Sequence, residues 1–115
     1  MPPLTIYRAP GNVIDHTPSG ADVAGGDVVV QGDLVGIATQ PILDGELGAL
    51  AVTGVFDLPK VTGSSTAIAV GEPVYWDEAN AQATGDDNSG ANKQVGYAVA
   101  TTVDGDATVR VLLGR

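Results

Sequence analysis

His16 is the single histidine of the chain, so it is the one imidazole that could activate a nucleophile. It follows Asp15 directly, and adjacent strand residues project to opposite faces, which places the two badly for joint work. Ser64 and Ser65 lie in GSSTA, which lacks the glycine spacing of a nucleophile elbow. His16 reads instead as a partly buried residue at a strand edge, held by a local hydrogen bond. Fourteen carboxylates offer many acid–base pairs. Several stand beside glycine, as in Asp44-Gly45 and Asp104-Gly105, where a carboxylate normally serves the turn. Sugar-cleaving sites also need aromatic platforms, and the aromatics are only Tyr7, Phe56, Tyr75, Trp76 and Tyr97.

Metal and phosphate chemistry fare no better. Zinc wants cysteine or several histidines, and there is no cysteine. Asp86-Asp87-Asn88-Ser89-Gly90 opens like a calcium loop, but its glycine comes one position early and Tyr97 stands where the closing glutamate belongs. It reads as an exposed loop tip. No glycine-rich phosphate motif opens a helix. Tyr75 and Trp76 are neighbours, so on a strand one ring enters the core and the other faces a partner or solvent. No enzyme and no cofactor is expected.

Charge narrows the partners. Fourteen acidic against five basic residues leave a net charge of −9, and the cations Arg8, Lys60, Lys93, Arg110 and Arg115 are scattered. Phosphate backbones and anionic lipid surfaces both need clustered cations, so neither a nucleic acid nor a membrane is an expected partner. The opening MPPLTIYRAPGN lacks a basic stretch followed by an apolar one, and no segment approaches the ~20 apolar residues of a membrane helix. The expectation is a soluble protein made in a cytoplasm.

The elements must be short. Sixteen glycines and seven prolines are spread along the chain, and the longest stretch free of both is the eleven residues Val74–Thr84. A helix of ordinary length would have to cross a residue costing about 1 kcal/mol (Gly) or about 3 kcal/mol (Pro) relative to Ala. The predicted strands are Leu4–Arg8, Val13–His16, Asp27–Gln31, Leu34–Thr39, Leu47–Val55, Pro73–Trp76, Asn80–Thr84, Gln94–Thr102 and Ala107–Leu113. Val109, Val111 and Leu113 alternate with Thr108, Arg110 and Leu112, which gives the last strand one apolar face. A turn near Asp77–Asn80 makes a hairpin of the segment after Trp76.

A regularity crosses the chain at an offset of sixty residues. Val35-Gly36-Ile37-Ala38 matches Val95-Gly96-Tyr97-Ala98, Asp44-Gly45-Glu46 matches Asp104-Gly105-Asp106, and Gly54 matches Gly114. The fold predicted is all-β: a small antiparallel barrel or sandwich of short strands with pseudo-repeated halves. Residues 1–12, with Pro2, Pro3 and Pro10, form an extended N-terminal arm ahead of a single β domain over 13–115.

Several blocks together resemble a known family. They include Asn12–Thr17, Ala24–Val30, Gly32–Ala38, Gly45–Val52, Gly54–Lys60 (GVFDLPK), Gly71–Asp77 (GEPVYWD), Val95–Ala98 and Asp104–Val111. In this order the chain is similar to small phage proteins described as capsid cement or decoration proteins. GVFDLPK and PVYWD are the most specific parts. The resemblance implies a structural protein on the outer surface of the virion, joining the head after the major capsid protein has assembled. It further implies a homotrimer at local three-fold positions and no enzymatic activity. A module binding carbohydrate or a host surface is the alternative, marked by an exposed Tyr75, Trp76 or Tyr97. The arm could add a strand to a neighbour, so Leu4, Ile6, Tyr7, Val13, Ile14 and His16 are the candidate capsid or subunit interface.

Overall fold

The computed structural model describes residues 11–114, and its strands fall into two antiparallel sheets. The first contains β1 (Val13–His16), β2 (Val28–Gln31), β3 (Leu34–Ala38) and β4 (Gly48–Ala51), in the order β1-β4-β3-β2. The second contains β5 (Gly54–Pro59), β6 (Pro73–Asp77), β7 (Gln82–Thr84), β8 (Lys93–Ala98) and β9 (Thr108–Leu113), in the order β5-β9-β8-β6-β7. One single-turn 3-10 helix, Asn88–Gly90, interrupts the strands.

The predicted strand Leu47–Val55 is two strands, one in each sheet. The chain leaves β4 after Ala51 and re-enters at Gly54, whose φ of +116° is open to glycine and strained for other residues. Gln94–Thr102 likewise ends at Ala98, after which the chain peels into a loop. Residues 80 and 81 belong to the β6–β7 turn, where Ala81 takes a φ of +53°.

Both sheets curl, though neither closes into a barrel. In the first, β1 and β2 stand at opposite ends of the strand order, yet His16 Nδ1 and Gln31 Oε1 are 3.0 Å apart. In the second, the chain just past β5 reaches β7: Val61 N donates to Ala83 O at 2.9 Å. Of the two architectures expected, the structure fits a sandwich of two packed sheets.

The repeat seen in the sequence is a repeat of topology. Strands β1, β4, β3 and β2 correspond to β5, β9, β8 and β6, and the β7 hairpin is an insertion in the second half. The β2–β3 and β6–β8 registers agree: Val28 pairs with Ile37 and Val29 with Gly36, as Pro73 pairs with Tyr97 and Val74 with Gly96. The β8–β9 register is one residue out of step with β3–β4, so Tyr97 faces Leu112 where Ile37 faces Ala51. Loop hydrogen bonds repeat as well. Gly26 N donates to Ala38 O and Ala38 N to Asp27 O, as Gly71 N donates to Ala98 O and Ala98 N to Glu72 O. A bulge distinguishes the second half, where the partners of Val74 and Tyr75 jump from Gly96 to Gln94 and leave Val95 as the extra residue.

The shared Val-Gly-x-Ala motif has a steric cause. A Cβ on Gly36 would stand 2.9 Å from the Cβ of Leu50, and one on Gly96 would run into the carbonyl group of Leu112. Each glycine lets the neighbouring strand approach, and Ala38 and Ala98 are buried beside it.

Two apolar clusters follow from this arrangement. Inside the first sheet, Ala38, Ile42 and Leu50 pack with Ile14, Val23 and Val29. The larger cluster lines the second sheet with Leu58, Ile68, Val74, Trp76, Val109 and Val111, and receives Val35 and Ile37 from β3 with Val28 and Val30 from β2. That double duty explains why Val28–Val30 and Val35–Ala38 are continuous apolar runs: one side faces the strand's own half, the other faces the second half. Strand β9 shows the predicted alternation, with Val109, Val111 and Leu113 buried and Thr108, Arg110 and Leu112 exposed.

Candidate interaction surfaces

The carboxylates are occupied in turns. Asp44 Oδ1 accepts from Gly20 N at 2.8 Å, and its counterpart Asp104 Oδ1 accepts from Thr66 N and Ala67 N at 3.1 and 2.9 Å. Asp27 accepts from Ala24 N at 2.9 Å, and Glu72 from Ala69 N at 2.6 Å. Asp22, Asp77, Asp86 and Asp106 each accept from a backbone N–H in the same way. The bonds of Asp27, Glu72, Asp77, Asp86 and Asp106 are local and hold turns in shape, whereas Asp22, Asp44 and Asp104 tie one loop to another.

The segment Asp86–Asn92 closes on itself in the same style. Asn88 N donates to Asp86 Oδ1, and Asn92 Nδ2 donates to Asp86 O. Among the described residues no group of three or more His, Asp or Glu side chains is placed to hold a metal ion. Lys60, a buried cation, aims its ammonium at the Val61 carbonyl at 2.8 Å, with the Thr66 hydroxyl and the Asp104 and Asp106 carbonyls at 3.4–3.5 Å. It ties the end of β5 to the loop before β9.

Of the six residues expected at an interface, Leu4, Ile6 and Tyr7 lie outside the described residues. Val13 is exposed on edge strand β1, Ile14 is half-buried against the smaller cluster, and His16 is half-buried. The His16 partner is Gln31 rather than a sequence neighbour, because curling brings the two edge strands together. A cleft of 320 Å³ opens where the halves meet, lined by Ile37, Thr39, Phe56, Leu58 and Pro59 with Asp57 as its one ionisable group. Asp57 is held by Arg110, and the lining places no base beside a nucleophile there.

The most distinctive open surface is one that sequence reasoning missed. Across the outer face of the second sheet runs a row of directly paired residues, Val55–Leu112–Tyr97–Pro73, all exposed. Val99, whose N–H bonds to Arg110 O, extends the row, and half-buried Tyr75 lies on the same side of β6 as Pro73. The neighbouring charges are paired: Arg110 Nε donates to Asp57 Oδ1 at 3.0 Å. That hydrogen bond and the charge of Asp57 raise the guanidinium pKa above its ordinary value. Two sequence signals pointed here. Leu112 breaks the polar side of β9, and Tyr97 stands exposed where the first half has buried Ile37.

The described residues thus form a β scaffold with acids bonded in its loops and an apolar row on the outer face of its second sheet. The chain belongs to the phage cement protein family, whose model matches residues 9–113. No curated protein and no solved structure matches it. Family membership makes it a structural protein associated with the phage capsid.

Proposed function

We propose that the protein binds the outer surface of an assembled phage head, stabilises it against disruption, and does so as a homotrimer at local three-fold positions. The family match over residues 9–113 carries this reading. The acidic body agrees with it, because a net charge of −9 keeps many copies soluble and away from packaged DNA. The partner is the major capsid protein. Residues 1–10 act as an arm whose Leu4, Ile6 and Tyr7 add to a neighbouring sheet edge. The described chain begins beside β1, an edge strand bearing Val13, Ile14 and His16.

Incubating the purified protein with shells that lack it and sedimenting the mixture tests this. Saturable co-sedimentation is expected, and deletion of residues 1–10 should weaken it about tenfold or more without lowering the unfolding midpoint. Shells that sediment alone would overturn the reading.

The exposed ring of Tyr97, with Pro73 and Tyr75 on the same sheet face, favours a second reading as a module for carbohydrate or a host surface. Binding on a glycan array that disappears in Tyr97→Ala would support it, and a blank array would remove it.

A further inference from the structure

We propose that the outer face of the second sheet, centred on Leu112 and Tyr97, is where copies of this chain associate. The inference names the surface for the self-association included in the proposed function, and its ground is the internal repeat.

The row Val55–Leu112–Tyr97–Pro73 has a structural counterpart in the first half, Val13–Ala51–Ile37–Val28, paired across β1, β4, β3 and β2 in the same way. In the first half the centre of that row is closed: Ile37, 3% exposed, packs into the cluster of the second sheet, and Ala51 beside it is 8% exposed. In the second half the equivalent centre is open, with Tyr97 40% and Leu112 45% exposed. The same face of the same unit is apolar twice and covered once, and its cover is a β unit of this very chain. A second copy supplies another such unit.

Chemistry and charge point the same way. Tyrosine with aliphatic neighbours and few free charges is the make-up of an interface centre, and contiguous exposed apolar surface marks an interaction site. Copies carrying −9 each repel one another over most of their surface. Here the row itself is uncharged, and the adjacent Arg110 and Asp57 neutralise each other.

The test is sedimentation equilibrium over a concentration series, comparing the full chain with Leu112→Asp. Leu47→Asp serves as the control, adding the same charge at another exposed leucine. Leu112→Asp should weaken self-association by about 30-fold or more, and Leu47→Asp should match the unchanged protein. Leu112→Thr, which keeps a strand-forming residue at that site, decides the question if the aspartate variant fails to fold.

A folded Leu112 variant with undiminished self-association would overturn the inference, as would a full chain that is monomeric throughout. Shell binding measured in parallel separates this from the capsid reading. A Leu112 variant that keeps its oligomeric mass but loses shell binding assigns the face to the capsid and defeats the inference. A full chain that self-associates through this face yet ignores shells defeats the capsid reading alone.

Discussion

Trp76→Ala is expected to lower the free energy of unfolding by about 4 kcal/mol, the range found when a buried large aromatic is truncated. The indole is 6% exposed and packs in the larger cluster with Val74, Ala83 and Val109. The void left behind would adjoin an existing 350 Å³ cleft lined by Val28, Pro59 and Trp76, so the half-to-half contact loosens as well. Tyr75→Ala is the matched comparison. Its ring points to the opposite face and is half-exposed, so its loss should cost about 1 kcal/mol. Denaturant titration of both variants checks the pair. Equal losses would mean that Trp76 does not anchor the core.

Gly96→Ala should be nearly as damaging, at about 3 kcal/mol, although it adds a single methyl group. The new Cβ would fall on the carbonyl of Leu112, and a backbone group cannot swing aside as a side chain can. Strands β8 and β9 must then separate where Gly96 pairs with Leu113 and Tyr97 with Leu112. Gly36→Ala meets the Cβ of Leu50 at 2.9 Å instead, a milder overlap that a small shift of β4 relieves, and the loss should be held to about 1–2 kcal/mol. Unfolding midpoints of the two variants, measured side by side, test whether the repeated glycines are set by strand approach. Two equally mild effects would contradict that account.

Much of the fold was legible because local chemistry and tertiary role agree. The alternation of Val109, Val111 and Leu113 marks a strand with one buried side, and Asp-Gly pairs mark the turns in which Asp44 and Asp104 stand, although the loops their side chains reach were not legible. The offset of sixty residues announced two related units, and the paired topologies bear this out. The break between β4 and β5 was harder to read. Leu47–Val55 is apolar enough to look continuous, and the change of sheet at Val52-Thr53 leaves no signal beyond Gly54.

The interface candidates were chosen for their place near the start of the chain, and three of the six lie outside the described residues. The outer row of the second sheet escaped because its members come from four strands. Their adjacency exists only once Val55 meets Leu112, Leu112 meets Tyr97, and Tyr97 meets Pro73. The pairing of His16 with Gln31 was illegible for a similar reason, since it depends on how far the first sheet curls.

The central claim is that this chain strengthens a phage head by coating it. The most direct measurement is the temperature at which DNA-filled particles release their genome, with the protein absent and then added back to saturation. A rise in that temperature on addition is predicted, together with its loss for a chain lacking residues 1–10. Release at the same temperature, with the protein demonstrably bound, would contradict the claim.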